Sequence, residues 1–290
     1  MKKSLLLVLA ITLISGFAMA GDEGIGITVG AEFGINEVNK PNSGDMYPYL
    51  MPMLIYGNSF FNDAFDVYAE LDYTFGFTKD SGDYPQDLYF DLALGFNLKL
   101  GDLTTLSFLL ENENGLVFAP KSGLDFGDRI WGTLRPGILF NQSINNFGDL
   151  YAQIDAPFMY VQGWGDSDIP FGLDFSLGWN STFGLGLKAK AHTLLLPKDW
   201  NMGYTGLDLI ASFETGPIYA GIEVRIGRYD SYPPSSFFDG SGIKTDIAII
   251  PEFQFNFDFG LSLYAKCAFG AIGGSGDVII SPAVGVQFTF

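Results

Sequence analysis

Hydrophobic and polar residues alternate along most of the chain. From Phe183 the odd positions read Phe183, Leu185, Leu187, Ala189, Ala191, Thr193 and Leu195, and the even ones Gly184, Gly186, Lys188, Lys190 and His192. From Ile243 one set is Ile243, Thr245, Ile247, Ile249, Pro251, Phe253, Phe255 and Phe257. The other is Lys244, Asp246, Ala248, Ile250, Glu252, Gln254 and Asn256. Successive side chains of a strand point to opposite faces, so each segment has one oily and one wet side. The pattern predicts fourteen strands, near 24–35, 46–56, 65–77, 87–99, 103–117, 129–141, 149–162, 169–180, 183–196, 203–214, 217–229, 242–257, 259–271 and 278–290. Reading the second strand or the segment Asn112–Gly115 differently gives twelve or sixteen. Most of these segments are at least as long as the ~9–11 residues that cross a bilayer at a tilt, whereas soluble strands peak near ~5–6.

The connections alternate as well. Leu100-Gly101-Asp102, Ser181-Thr182, Thr215-Gly216 and Asp258 read as tight turns. Segments 36–45, 78–86, 118–128, 163–168, 197–202, 230–241 and 272–277 read as longer loops rich in Asp, Gly, Ser and Pro. No Asp, Glu, Lys or Arg falls on the oily side within the central part of any predicted strand, and Arg228 lies at a rim. Lipid imposes that restriction, because Arg or Lys at a bilayer midplane costs roughly 2–4 kcal/mol. At the turn end the oily side closes in Phe65, Trp179, Phe183, Phe213, Phe257 and Phe259, as an interfacial girdle requires.

The last segment alternates Pro282, Val284, Val286, Phe288 and Phe290 with Ala283, Gly285, Gln287 and Thr289. An alternating final strand ending in Phe resembles the signal by which bacterial outer-membrane barrels are recognised for assembly, carried here by Val286, Phe288 and Phe290. At the level of architecture the whole chain resembles that superfamily, and in size it is similar to the 14-stranded monomeric porins. The resemblance implies an all-β, antiparallel up-and-down transmembrane barrel without a plug domain. It also implies the outer membrane of a diderm bacterium as the location, with membrane lipid and the barrel-assembly machinery as partners. The unbroken oily face fits a monomer.

Residues 1–20 have the layout of a secretory signal peptide, with Lys2 and Lys3, an apolar run from Leu5 to Ile14, and Ala18-Met19-Ala20 before Gly21. The domain reading is therefore a leader over 1–20 and a barrel over 21–290. Without Lys2 and Lys3, 13 basic side chains face 33 acidic ones, yet mean hydropathy is +0.21. So acidic a chain has no phosphate-binding surface, and nucleic acid is excluded as a partner. A single Cys excludes an intrachain disulfide. No cofactor or metal-ligand motif is present, and Cys267 reads as a small lipid-facing residue.

The wet side holds the candidate chemistry. Its acids are Glu32, Asp66, Glu70, Asp72, Asp91, Glu111, Glu113, Asp155, Asp174, Asp208, Glu214, Glu223, Asp246 and Glu252. Its bases are Lys99, Arg135, Lys188, Lys190, Arg225, Lys244 and Lys266. Charges cannot be buried unpaired without several kcal/mol each, so these groups pair or meet water. Acids crowd the first five predicted strands and most of the bases the ninth to thirteenth. That sets a transverse field against local pairing with Asp208, Glu223 and Asp246.

Inward aromatics are Tyr68, Tyr89, Trp131, Tyr151, Tyr219 and Tyr264, too scattered in height for a sugar path. His192 beside Asp208 has the elements of an acid–base pair, but Lys190 competes for the same Asp, and the reading is not an enzyme. Loop acids Asp80, Asp83, Asp125, Asp128, Asp166, Asp168, Asp230 and Asp239 match no defined calcium loop. The functional expectation is a passive channel for small hydrophilic solutes or ions, weakly cation-selective because rings of acids favour cations. The alternative is a non-conducting surface protein acting through its loops.

Amino-terminal sequencing of the exported chain is expected to start at Gly21; a mature chain that still begins at Met1 would refute the leader.

Overall fold

The computed structural model describes residues 25–40, 43–61, 63–77, 86–118, 130–161, 171–196, 201–227, 245–272 and 278–290. The leader and every loop acid named above lie outside them. The strands are β1 (Ile25–Lys40), β2 (Ser43–Phe60), β3 (Phe65–Gly76), β4 (Gln86–Lys99), β5 (Thr104–Phe118), β6 (Ile130–Ile144), β7 (Gly148–Asp155) and β8 (Phe158–Val161). They continue as β9 (Phe171–Ser181), β10 (Leu185–Leu196), β11 (Asn201–Thr215), β12 (Ile218–Gly227), β13 (Thr245–Asn256), β14 (Leu261–Ile272) and β15 (Val278–Thr289).

β7 and β8 are two halves of one strand. Both pair with β6 in a single register, Gly137 opposite Asp155 and Leu134 opposite Phe158. The break falls at Ala156–Pro157, where proline has no N–H to give the ladder. The sequence pattern had run that strand unbroken over 149–162. Counted this way there are fourteen strands, each antiparallel to its neighbours, and β1 pairs with β15 as well as β2. The sheet therefore closes and has no edge.

The paired register advances by about 16 residues in one circuit, a stagger that tilts fourteen strands by ~40°. Strands ~4.8 Å apart at that tilt enclose a cylinder of roughly 14 Å backbone radius.

Burial is inverted relative to a water-soluble protein. Many exposed side chains are large and apolar, among them Leu173, Leu177, Ile222, Phe253 and Val284, and within each strand that carries them they share one parity. The buried ones include Glu32, Asp72, Asp91, Asp155 and Asp174. A continuous oily exterior of this extent fits hydrocarbon as its solvent and not water. Aromatics gather at the turn end as expected: Phe147 stacks on Trp179 at 4.8 Å, Trp179 meets Phe183 at 6.0 Å, and Phe257 lies 5.5 Å from Phe259. Phe288 and Phe290 of the final strand stand 4.7 Å apart edge to face. Asn112 shares the outward parity of Phe108 and Leu110, between Leu92 and Leu134, a polar residue within the oily band.

Tight turns close the hairpins at that end. Gly184 (φ +94°) and Gly260 (φ +88°) donate their N–H to Ser181 and Phe257. A side chain at Gly184 would run into the Glu214 carbonyl oxygen.

One boundary differs substantially from the pattern. Segment 36–45 was expected as a loop, but β1 runs to Lys40 and β2 starts at Ser43, paired to the tip from Val38–Asp45 through Lys40–Ser43. Strand pairing continues through its Asp45 and Gly44, although both residue types are common in loops. β11 likewise begins at Asn201, inside the expected loop 197–202.

Ile222→Arg, on the outer face well inside β12, is expected to lower stability in lipid by roughly 2–4 kcal/mol, and Ile218→Arg at its turn rim by ~0–1 kcal/mol. Denaturant unfolding in liposomes measures both; equal effects would mean that the exterior does not span a bilayer.

Candidate functional site in the lumen

The residues that the wet side predicted fall on one inner surface. Glu32 comes from β1; Asp66, Glu70 and Asp72 from β3; Asp91 from β4; Glu111 and Glu113 from β5; and Arg135 from β6. Asp155 is on β7, Asp174 on β9, Lys188, Lys190 and His192 on β10, and Asp208 and Glu214 on β11. Glu223 and Arg225 are on β12, Glu252 on β13 and Lys266 on β14. Lys99 sits at the turn rim, 3.6 Å from Asp63, with its side chain 60% exposed. Asp246 belongs to β13 by its backbone, and Lys244 lies outside the described residues.

Glu32 organises one wall. Its Oε1 accepts from the Tyr49 hydroxyl at 2.7 Å, and its Oε2 from the Tyr264 hydroxyl at 2.9 Å and Lys266 Nζ at 2.7 Å. Three donors onto one carboxylate offset its desolvation, and the group is 2% exposed. Tyr264 stands on β14 and Glu32 on β1, with β15 between them. The residue of β15 that faces both is Gly285. Its missing side chain lets the Tyr264 ring lie flat over the strand, where a Cβ would strike it. Tyr49 lies over Gly34, and Tyr151 over Gly178, in the same way.

The opposite wall is organised by Arg135 and His192. Arg135 Nη1 reaches Glu111 at 2.8 Å and Glu113 at 3.4 Å. His192 bridges two acids, Nδ1 to Asp174 at 3.2 Å and Nε2 to Asp208 at 2.6 Å, and Lys190 stands 3.6 Å from Asp174. Arg225 pairs with Glu223 on its own strand at 2.7 Å. Lys190, His192, Arg225 and Lys266 are thus engaged with acids, which favours pairing over a free transverse field. His192 is held between the carboxylates of Asp174 and Asp208.

Between these walls, β3 to β5 carry acids with few bases. Glu70, Asp91 and Glu113 stand directly opposite one another across three strands. Tyr68 donates to Glu70. Asp66 accepts from Ser59 at 2.7 Å and from Asn97 at 2.6 Å. Toward the turn end lies a cavity of ≈ 510 Å³, lined among others by Asp66, Tyr68, Glu111, Arg135, Gln153 and Asp155.

Sequence reasoning missed Tyr49, which pairs with Glu32, and Gln153, whose amide donates to both Asp155 oxygens at 2.9 Å. The available signal for Tyr49 was an inward tyrosine directly opposite Gly34 and diagonal to Glu32, legible only once the register is known.

No protein-family model matches the chain, and no curated protein matches it. Solved structures do. The toluene transporter TodX of Pseudomonas putida superposes with a TM-score of 0.52 at 9% identity, over 93% of this chain and 90% of its own. A deltaS2 mutant of TodX, described as a monoaromatic hydrocarbon channel, gives 0.56 at 8%, over 93% and 90%. CymD, another monoaromatic hydrocarbon channel, gives 0.54 at 9%, over 97% and 92%. At such identities the likeness is one of fold: the chain shares the closed, fourteen-stranded antiparallel barrel of these proteins.

Gly285→Val is expected to push Tyr264 off Glu32 and lower stability by about 1–3 kcal/mol, with Tyr264→Phe costing about 1–2 kcal/mol. Denaturant midpoints in liposomes read both, and an unchanged Gly285→Val midpoint would show that Tyr264 does not need the space over β15.

Proposed function

We propose that the protein is a passive outer-membrane channel for small hydrophilic solutes and ions, with a preference for cations. It reaches the outer membrane of a diderm bacterium after removal of residues 1–20. It inserts as a monomer through recognition of Val286, Phe288 and Phe290 by the barrel-assembly machinery. The channel reading is supported by a fold shared with outer-membrane channels. The observation that carries the cation preference is the excess of inner-face carboxylates on β3 to β5 over the bases that reach them. Arg135 contacts Glu111 and Glu113, while Glu70 and Asp66 are held by neutral Tyr68, Ser59 and Asn97. Uncompensated negative charge along a hydrated path attracts cations and repels anions. The mechanism needs no chemical step: the wall supplies a field, and the wetted width supplies the sieve.

A second reading, a closed barrel that acts through its extracellular loops, is favoured by one observation. Glu32, Asp155 and Asp174 are only 2–3% exposed, so side chains pack closely on the inner wall.

In planar bilayers the refolded mature protein is expected to give stable conductance steps whose reversal potential, under a potassium chloride gradient, shifts towards that of the cation. Glu70→Gln with Asp72→Asn is expected to shrink the shift. Silent insertion of protein shown independently to be folded would favour the closed reading.

A further inference from the structure

We propose that Asp91, Glu111 and Glu113, with the Thr133 hydroxyl, form a binding site for one divalent cation of the oxygen-seeking class, such as Ca2+ or Mn2+, on the inner wall over β4 to β6. The site lies in the lumen assigned above to conduction but does not require that anything be conducted. One oxygen from each of the three carboxylates falls within 4.8 Å of the others. Two ligands on opposite sides of a Ca2+, each bound at ~2.3–2.6 Å, are separated by about that span. The three oxygens therefore already fit around a single ion.

The cluster would be an ordinary acidic patch without a second observation. Thr133 supplies it. It stands directly opposite Glu113 in the register between β5 and β6, shares the inward parity of Arg135, and is 1% exposed, and its Oγ1 has no hydrogen-bond partner. A hydroxyl so deeply buried and unsatisfied is costly unless something accepts or donates there. Asp91 repeats the pattern from the other side: it is 6% exposed and its Oδ1 is also unpartnered.

Like charges directly opposite one another are destabilising, and here Glu70, Asp91 and Glu113 form such a row across β3, β4 and β5. Arg135 neutralises one charge of the cluster, bonding Glu111 at 2.8 Å and Glu113 at 3.4 Å. Asp91, Glu111, Glu113 and Arg135 together then carry two net negative charges, the complement of one divalent ion. Each glutamate keeps a second oxygen free of the Arg135 contacts. The donors are carboxylate and hydroxyl oxygens, with no sulfur or imidazole among the cluster, and hard cations prefer that set.

Calorimetric titration of the refolded full-length mature chain in detergent micelles with calcium chloride alone tests the site without any conductance measurement. One saturable event is expected, weakened at least tenfold by Asp91→Asn with Glu113→Gln and several-fold by Thr133→Val. Both variants are checked for a folded barrel by circular dichroism. Should the double variant fail to fold, Tb3+ bound to the unaltered chain provides the second measurement. Its emission, sensitised through the neighbouring inward Tyr89, should fall on Tyr89→Phe and on addition of Ca2+. Absence of saturable binding would overturn the proposal. So would binding that survives unchanged in the folded double variant, because the ion would then sit on the acidic loops.

Discussion

A backbone N–H or C=O in hydrocarbon has no water to turn to, and each one left unpaired costs several kcal/mol. The rest of this structure follows from that constraint. A sheet meets it only by closing, so β1 must pair with β15, and each of the fourteen strands must hold its register with two neighbours. The ~40° tilt and the barrel width follow from strand number and stagger together. Where the backbone cannot comply, as at Pro157, the strand breaks into two halves that keep one register.

Closure also decides where polar side chains can go. With lipid outside, alternation sends every second residue to an inner wall, and the ionisable groups gather there. Their burial is tolerable only through dense mutual satisfaction, which is what Glu32, Arg135 and His192 organise. Glycine is part of the same solution: at Gly34, Gly178 and Gly285 its bare backbone gives a tyrosine ring on the next strand room to lie along the wall. Those rings fill space that short acids leave empty and carry a hydroxyl to an acid two strands away in the case of Tyr264.

Strand parity was legible because it is a local property. The run from Phe183 to Leu195 and that from Ile247 to Phe257 each declare their faces within a dozen residues, and the inner-face acids were found by that means alone. Segment 36–45 misled because its composition is that of a loop, while β1 and β2 remain paired through Lys40–Ser43. The Pro157 break was obscured because parity is preserved across it. The partners of Glu32 were not legible, since Tyr49 and Tyr264 reach it along directions set by register and by missing side chains on other strands.

The Tyr264–Glu32 hydrogen bond joins residues 232 positions apart in the sequence. It spans three strands, of which β1 is the first made and β14 nearly the last, and it crosses β15, the one that seals the wall. Contacts between such distant residues cannot form early, because the entropy of closing so long a loop must be met before they contribute anything. The tyrosine lies flat only over Gly285 of β15, so a chain with its final strand unplaced leaves Glu32 with Tyr49 of β2 but without its two donors from β14. The bond is therefore available only to the completed cylinder, and the last step of folding is reinforced by an interaction that no partly assembled sheet possesses.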